Sequence, residues 1–384
     1  MEDPLRPFRR KIRSLLGRMR LRREGESYRR RLAAQGLTVP DEQAVYDALR
    51  RLHPAVKAKP KGDLTILAVY HHYNWEDTAL LPALERFGRV LRYDWFRRFG
   101  VPDGDWPRRL RDRLNVDLLS FLEETAGQER IDVIFAYLSG EQVTGQTMER
   151  IRALGIPSVN LSLNDKENFV GRIYRGQALG LRDICRHFSL CWTSTEDALA
   201  KYVCEGALPV YLPEGANPEV HRPHAVERTV DVSFVGRCYG NRRETIRHLE
   251  ERGFRVEAYG VGWPKGPLST EEMVLMYSRS RINLGFGGVA DHDDTYCLKG
   301  RDFEVPMSGG LYLTEYHPEL ERVYDLEKEI VTYRDRDELT KKARFLLDNP
   351  AAAEAVRRRG YERARRDHSW EKRLERVFTL MGLI

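Results

Sequence analysis

The sequence lacks the features that mark secreted, membrane-spanning and zinc-binding proteins. Its 384 residues include only five cysteines, and no two of them are spaced as in C-x-x-C. An odd number of scattered cysteines favours a reduced, cytoplasmic protein over a disulfide framework and gives no support to a zinc site. No apolar run is long enough to cross a bilayer, and the N-terminus lacks the apolar core and cleavage site of a signal peptide. We therefore predict a cytoplasmic protein with reduced cysteines.

Positive charge is concentrated at the N-terminus. Residues 1–31 hold twelve Lys and Arg against four Asp and Glu, a net charge of +8, whereas the whole chain carries +6 and the remainder is therefore −2. Apolar residues recur here at steps of three and four, as on one face of a helix: Leu5, Phe8, Ile12, Leu15, Leu16 and Met19. Residues 1–35 are thus predicted to form a basic amphipathic arm. Such a helix fits an anionic membrane surface or packs on the protein body. Nucleic acid fits less well, because no stacking aromatics accompany the basic run.

Beyond residue 63, apolar segments of strand length alternate with helical patterns. In the first half these segments are 64–70, 90–96, 131–138, 156–163, 188–193 and 208–212. In the second half they are 230–235, 255–259, 282–285 and 311–313. The stretch 213–223 between the halves is rich in Pro, Gly and Asn, which predicts a domain boundary. Buried strands that alternate with helices are typical of a parallel, doubly wound sheet, so we predict an α/β fold with one such sheet in each half.

One motif in the second half is the most informative. Lys299 and Arg301 place two cations at a predicted helix start, and Glu304 adds a carboxylate one turn later. Gly309 and Gly310 then turn the chain into an apolar strand. Open α/β sheets hold phosphorylated ligands at helix starts of this kind. We therefore predict a binding site for a phosphate-containing ligand at this helix.

A second cationic pair follows the strand 230–235. Gly236 and Arg237 end this strand, and Arg242 lies near the next helix start. Arginine forks contact phosphate oxygens in pairs, and open sheets bind ligands at the carboxyl ends of their strands. We predict that Arg237 and Arg242 contact a diphosphate. The alternative is two surface arginines on a loop.

Four segments resemble, in order, the motifs of glycosyltransferases of the two-Rossmann GT-B type, more narrowly the family-four group and the related spore-protein-like domains. The segments are VYLPEGANPEVHRP, FVGRCYGNRR, FEVPMSGGLYLT and DNPAAAEAVRRRGYERARRDHSWEKRLERV. They resemble the family's "IPNGVD", "FVGR", "EAMACGTPVI" and closing "FSWE" motifs, respectively. Four motifs in the right order are much more specific than one glycine-rich loop.

The resemblance implies two Rossmann-like domains that face a central cleft. Residues 36–216 would form the acceptor-side domain, residues 217–365 the domain that binds the nucleotide-sugar donor, and residues 366–384 a helix that returns to the first domain. The implied activity is transfer of a sugar from a nucleoside diphosphate-sugar to a hydroxyl acceptor, in the synthesis of a cell-surface polysaccharide or glycoconjugate. Neither a metal nor another cofactor is implied. A lipid-linked or polymeric acceptor would place the enzyme at the inner face of the cell membrane.

The resemblance also assigns roles to individual residues. The donor-binding residues that it implies are Gly236, Arg237, Arg242, Lys299, Arg301, Glu304, Gly309 and Gly310. The cations would bind the diphosphate, the carboxylate would accept hydrogen bonds from the ribose hydroxyls, and the glycines would let the backbone approach the ligand. Tyr296 stands where the family has the first of two glutamates, so the donor sugar and the stereochemical outcome stay open.

Polar residues at strand ends of the first half are candidates for catalysis. His71 and His72 follow the first strand, Glu141 the third and Asp165 the fourth. A side chain at such an edge is placed to orient or deprotonate an acceptor hydroxyl. We predict His72 and Asp165 as the catalytic residues, with helix capping or ion pairing as the alternative. The Asp-His-Asp-Asp run at 291–294 is predicted to be an exposed loop rather than a metal site.

Two other functions stay open from the sequence. A nucleotide-sugar epimerase or phosphorylase would use the same fold for different chemistry. A non-catalytic binding or coat-associated protein would keep the fold without the chemistry. Tyr296 in place of a carboxylate favours the non-catalytic hypothesis, whereas the arginines and Glu304 argue against it.

Overall fold

Two parallel sheets with helices around them form the protein in this computed structural model. The structure describes the backbone of residues 6–73, 75–100, 109–289 and 292–384, and the side chains of these residues except 6–14 and 292–294. Residues 21–213 and 373–384 form one unit, here called the N-terminal domain. Residues 214–372 make up the second unit, the C-terminal domain, with which the start of the first helix is grouped. The two sheets confirm the predicted α/β class with two Rossmann-like domains.

The N-terminal domain contains a parallel sheet of six strands. Its main elements, in chain order, are α1 (Arg6–Ala34), α2 (Glu42–Leu52), β1 (Leu64–Val69), a π-helical turn (Glu76–Leu80) that continues into α3 (Leu81–Glu85), β2 (Gly88–Tyr93), α4 (Trp95–Phe99), α5 (Arg111–Gln128), β3 (Val133–Ala136), α6 (Gly145–Ala153), β4 (Ser158–Ser162), α7 (Asp165–Asn168), β5 (Ile173–Tyr174), β6 (Gln177–Ala178), β7 (Leu190–Thr193), α8 (Leu199–Cys204) and β8 (Pro209–Tyr211). The sheet has the order β2-β1-β3-β4-β7-β8 and its pairs are parallel, while β5 and β6 form a small antiparallel hairpin. β3 and β4 are buried along their whole length. Burial on both faces explains the unbroken apolar character of β3.

The C-terminal domain repeats this plan around a shorter sheet. Its main elements are β9 (Val230–Val235), α9 (Arg242–Glu250), β10 (Val256–Tyr259), α10 (Thr270–Arg279), β11 (Ser280–Leu284), β12 (Gly288–Val289), β13 (His292–Tyr296), α11 (Gly300–Met307), β14 (Tyr312–Glu315), β15 (Val331–Tyr333), α12 (Arg336–Asp348) and α13 (Pro350–Asp367). The last helix, α14 (Trp370–Leu380), begins in this domain and belongs to the N-terminal domain from Arg373 onward. The parallel sheet has the order β10-β9-β11-β14-β15, and β12 pairs with β13 as a hairpin. Parallel order brings the carboxyl ends of β9, β11 and β14 to one edge, where open sheets bind ligands.

The second half of α1 is part of the N-terminal domain. Tyr28 is buried, packs edge to face on Phe169 with ring centroids 5.6 Å apart, and donates a hydrogen bond of 2.9 Å to Glu205. Arg31 forms an ion pair of 2.7 Å with the same carboxylate. The second half of the predicted arm is therefore packed on the N-terminal domain. In the first half of the helix, Leu15, Leu16 and Met19 are exposed.

The chain leaves the N-terminal domain after Pro213 and re-enters it at Arg373, whereas the sequence predicted these divisions after residue 216 and at residue 366. The returning segment packs on the N-terminal domain through Phe378, whose ring lies edge to face with that of Phe87 at 5.1 Å. Among the residues that the structure describes, no helix combines the length and apolarity that crossing a membrane requires.

The first residues of the C-terminal domain run beside the junction of α13 and α14. The backbone N–H of Ala216 donates to the carbonyl of His368 at 2.9 Å, and the N–H of Trp370 donates to the carbonyl of Ala216 at 3.0 Å. A side chain at Gly215 would collide with this junction, since an added Cβ would lie 2.7 Å from the nitrogen of Trp370. These contacts hold the neighbouring Glu214 in a defined place.

Candidate functional site

A guanidinium group packs closely against the backbone at the carboxyl end of β9. Phe234 is buried near the end of this strand, and Gly236 follows it. A Cβ added to Gly236 would lie 2.6 Å from Nη1 of Arg301 and 2.9 Å from Cζ of Phe234. Its φ of 157° is also one that residues with a side chain rarely adopt. Glycine is therefore required here for close approach, as the sequence predicted for a ligand site, although the approaching group is Arg301.

Arg301 is a partly buried cation whose guanidinium has no direct polar partner among the described side chains. Its Cζ lies 5.2 Å from the centroid of the Phe234 ring, a cation–π contact. Its Nε is buried without a hydrogen-bond partner, and within the described part of the chain the guanidinium forms no hydrogen bond and no ion pair. Because a desolvated charge without a partner is costly, this arrangement favours an anion beside Arg301.

Arg242 has a different environment from the one predicted. Its side chain is buried, and it donates hydrogen bonds to the carbonyl of Arg237 at 2.8 Å and to the hydroxyl of Tyr239 at 2.6 Å. Burial, and then the neighbouring charge of Arg301, lower the pKa of Arg242 to about 10, so it stays charged at neutral pH. Arg242 therefore stabilises the loop after β9 through hydrogen bonds. Its direct contact with a diphosphate remains a prediction that this buried position does not favour. Arg237 is exposed on the same loop.

The amino-terminal end of α11 is fixed by a buried carboxylate. Asp302 accepts hydrogen bonds from the backbone N–H of Lys299 at 2.7 Å and from the hydroxyl of Tyr312 at 2.7 Å. The ammonium of Lys299 lies 3.0 Å from Sγ of Cys297. The helix thus presents its positive end together with Lys299 and Arg301, an arrangement that attracts anions.

Glu304 lies one turn along α11 from Arg301, on the same face of the helix. Its Oε1 is 3.9 Å from Nε2 of His221, a buried histidine. Glu214 is a second carboxyl group in this place, since a Cβ added to Gly300 would lie 2.9 Å from Oε1 of Glu304 and 3.4 Å from Oε2 of Glu214. Burial, and then the charge of Glu304, raise the pKa of Glu214 to about 8.

Glu214 and His221 were missed by the sequence analysis, although a signal was present. Glu214 occupies the place of the asparagine in the "IPNGVD" motif that the linker resembles. A glutamate at this position departs from the asparagine of the motif, and this difference can be seen in the sequence alone. Its proximity to Glu304, ninety residues later in the chain, follows only from the fold.

Gly309 and Gly310 lie at the opposite end of α11, before β14 begins. Gly309 has a φ of 68°, and a Cβ added to Gly310 would lie 2.7 Å from Nδ2 of Asn283 and 2.8 Å from Cγ1 of Val305. They precede the amino-terminal end of β14, whereas Gly236 follows the carboxyl end of β9. The two glycines therefore form a tightly packed helix-to-strand turn, and their contact with a donor ligand stays a prediction that this packing does not favour.

The carboxyl ends of β11 and β14 carry a second polar group. Burial raises the pKa of Glu315 despite hydrogen bonds from the backbone N–H groups of Gly287 and Gly288. Tyr296, which replaces the family glutamate, stacks on His317 with ring centroids 6.0 Å apart and planes 9° apart. A Cβ added to Gly287 would meet these two aromatic rings, at 2.7 Å from Cδ2 of His317 and 3.3 Å from Cδ1 of Tyr296.

In the N-terminal domain the two histidines after β1 differ in their hydrogen bonds. Nδ1 of His71 lies 3.2 Å from Oδ1 of Asp94, and because an ionised carboxylate only accepts, Nδ1 must carry the proton. The neutral ring then has its lone pair on Nε2, as a general base requires. Nδ1 of His72 instead accepts from the backbone N–H of Asp77 at 3.2 Å, which places the proton of its neutral ring on Nε2. The geometry therefore favours His71 over His72 as a base.

Asp165 lies inside the N-terminal domain with no exposed surface. Its Oδ2 accepts a hydrogen bond of 2.7 Å from the hydroxyl of Tyr202, and burial raises its pKa to about 6. The catalytic role of Asp165 stays a prediction that this burial argues against, and we assign the residue to the support of α7 and α8. Glu141 is partly exposed and lies 3.7 Å from Arg172.

No group of three or more His, Cys, Asp and Glu side chains forms a metal-binding cluster in the portion of the chain described by the structure. Of the Asp-His-Asp-Asp run at 291–294, Asp291 lies outside the described residues. Residues 292–294 are part of β13, and their side chains are also outside the described set. Metal independence therefore stays a prediction.

Two Rossmann-like domains, the second with a cationic helix start at its sheet edge, define the GT-B glycosyltransferase fold, and solved structures share it. Sucrose-phosphate synthase from Thermosynechococcus elongatus matches with 13% identity and a TM-score of 0.56, over 83% of this chain and 98% of its own. A glycosyltransferase from Rickettsia africae matches with 10% identity and a TM-score of 0.57, over 83% and 99%. Anabaena HepE in complex with UDP-glucose matches with 10% identity and a TM-score of 0.56, over 84% and 100%.

The family comparison agrees with the fold. Residues 241–379 match the family model described as glycosyl transferase-like, and no curated protein matches the chain. The matched segment contains α11 and most of the C-terminal domain. The resemblance to glycosyltransferases of the GT-B type is thereby confirmed at the level of the fold.

Proposed function

We propose that the protein is a glycosyltransferase that moves a sugar from a nucleoside diphosphate-sugar to a hydroxyl acceptor. The observation that carries the proposal is the guanidinium of Arg301 at the positive end of α11, in contact with the glycine that ends β9. When the sugar leaves, negative charge develops on the departing phosphate, and a placed cation with a helix N-terminus stabilises it. Glu304, one turn away, is placed to accept hydrogen bonds from ribose hydroxyls.

The finer parts of the proposal concern the pathway and the lack of a metal. We propose a role in cell-surface polysaccharide or glycoconjugate synthesis, with the arginines, Lys299 and the helix end taking the part that a divalent cation plays in other enzymes. UDP-glucose is the first donor to test, and UDP the first nucleotide, because one protein of the same fold was solved with UDP-glucose.

Calorimetric titration with UDP, GDP and dTDP tests the donor site directly. We expect one of them to bind, because the cations and the helix end recognise the diphosphate that all three share. Donor consumption is then followed with and without hydroxyl acceptors and with EDTA, which should leave the rate unchanged. Conversion without an acceptor would instead indicate an epimerase, binding without turnover a non-catalytic protein, and absence of binding by all three would refute the donor site.

We also propose that the first half of α1 binds an anionic membrane surface. Leu15, Leu16 and Met19 are exposed on this helix, and arginines surround them in the sequence. Apolar side chains that enter the headgroup region while cations face anionic lipids are the usual design of an interfacial helix.

Vesicle flotation provides the measurement for this proposal. The protein should float with vesicles of phosphatidylglycerol and phosphatidylcholine at low salt and much less with phosphatidylcholine alone or at high salt, since screening weakens the attraction. Replacing Leu15, Leu16 and Met19 with serine should lower binding at least about tenfold, because each buried apolar side chain contributes roughly 1.5–3 kcal/mol. The control is Val116→Ser, which changes an exposed apolar residue on α5. Equal flotation of the triple variant and this control would contradict the proposal.

A further inference from the structure

Glu214 stands beside the carboxylate that the proposed function assigns to the donor ribose. The two carboxyl groups border the same backbone position, Gly300, from different segments of the chain. Glu214 is held there by the linker, whose next residues bond to the α13–α14 junction through Ala216. The approach of the two groups is therefore built into the C-terminal domain and does not depend on a flexible side chain alone.

Two carboxylates that border the same backbone position do not both ionise readily, because their charges repel in a place with little water. The charged and titratable groups around Glu214 are Glu304, Asp302, Arg301 and Lys299 from the α11 region, with His221 and Tyr277 facing Glu304. The cations lower the pKa of Glu214, but burial and Glu304 raise it more. Burial lowers the pKa of His221, so this histidine is neutral at pH 7 and does not supply a compensating charge.

We propose that Glu214 and Glu304 share a single proton at neutral pH and that Glu214, as the protonated partner, positions Glu304 for the ribose of the donor. A protonated carboxyl donates one hydrogen bond, so in this scheme Glu214 restrains Glu304 without adding a negative charge beside the diphosphate. Glu214 is a positioning residue in this scheme, because it acts through Glu304. The inference rests on the proposed function for its ligand, whereas the shared proton is a property of the protein itself.

Nucleotide affinity measured against pH tests the positioning role. The probe is UDP, or whichever of UDP, GDP and dTDP binds, titrated between pH 7 and 9.5, where its terminal phosphate, with a pKa near 6, keeps a constant charge. Loss of the shared proton places a second negative charge beside the ligand, so wild-type affinity should fall by up to about tenfold between pH 7 and pH 9. Glu214→Gln mimics the protonated form, and it should bind as the wild type does at pH 7 and lose most of this pH dependence.

A flat wild-type profile, or a Glu214→Gln profile that falls as the wild type does, would overturn the positioning role. The second result would point to another group that titrates in this range. Glu304→Gln provides a further check, because the charge of Glu304 raises the pKa of Glu214, so its removal should move the affinity loss to lower pH.

Melting temperature without nucleotide tests the shared proton separately. Burial and the charge of Glu304 raise the pKa of Glu214 in the folded chain from its ordinary value of 4.5 to about 8. Between pH 4.5 and about pH 8 the folded chain therefore holds a proton that the unfolded chain has released. Stability must then fall as pH rises through this interval. Glu214→Gln should therefore melt a few degrees above the wild type at pH 9 and close to it at pH 5. An equal difference at both pH values would refute the shared proton, whereas absence of nucleotide binding in both proteins would refute only the donor site.

Discussion

Replacement of Arg301 with alanine is expected to weaken nucleoside diphosphate binding about 30- to 150-fold, which corresponds to about 2–3 kcal/mol for a lost charge-assisted contact. The same change should leave the melting temperature of the protein nearly unaltered. Among the described residues Arg301 has no hydrogen bond or ion pair to lose, and its removal relieves the repulsion that lowers the pKa of Arg242. The lost cation–π contact with Phe234 offsets part of that gain.

Arg242→Met is the matched control, because this arginine lies against the same Phe234 ring, with its Cζ 5.3 Å from the centroid. It should show the opposite profile. Loss of the bonds to the carbonyl of Arg237 and the hydroxyl of Tyr239 should lower the free energy of unfolding by about 2–3 kcal/mol. Calorimetric titration and thermal melting of both variants provide the measurements. If Arg301→Ala melts far below the wild type and Arg242→Met does not, the assignment of ligand contact to one and support to the other is reversed.

Replacement of His71 with glutamine is expected to lower the turnover of sugar transfer by about 100-fold or more, the usual contribution of a general base. Donor binding should not change, because His71 belongs to the N-terminal domain and the proposed diphosphate contacts to the C-terminal domain. The bond to Asp94 leaves a lone pair on Nε2 of His71, and glutamine cannot replace it as a base. Turnover and the binding constant of the donor nucleotide are the two quantities to measure.

His72→Gln serves as the control for this prediction, since its ring follows directly in the chain and is 37% exposed. Its Nδ1 already accepts the N–H of Asp77, so we expect little effect on turnover. A larger loss in His72→Gln than in His71→Gln would restore the residue chosen from the sequence. Unchanged turnover in both would mean that the acceptor proton leaves by another route, for example to the departing phosphate.

The sequence predicted the fold well because the fold rests on patterns that are local in the chain. Buried strands such as β3 have no polar residue to interrupt them, and their alternation with helices gives a parallel sheet on each side of a Pro- and Gly-rich linker. The helix with Lys299, Arg301 and Glu304 was also predicted, since cations at a helix start are visible as a motif.

The site was harder to predict, because sequence spacing does not report which way a side chain faces. Arg242 and Asp165 both lie close to strand ends, as expected, yet both are buried and hold neighbouring groups. His71 and His72 are adjacent in the chain, and only their hydrogen bonds to Asp94 and Asp77 distinguish them. Glu214 could not be paired with Glu304 without the fold, since the two are far apart in the chain.

The ion pair of Lys201 with Glu24 limits how much of the N-terminus can be removed or exchanged without loss of stability. The ammonium of Lys201 is almost wholly shielded from water, and it donates to Oε1 of Glu24 at 2.8 Å and to the carbonyl of Lys166 at 3.2 Å. A truncated or chimeric chain that begins after Glu24 would strand this charge in the interior, at a cost of several kcal/mol. Swapping of the arm between proteins, or its removal, should therefore stop before Leu21, and everything from that point onward belongs to the folding unit.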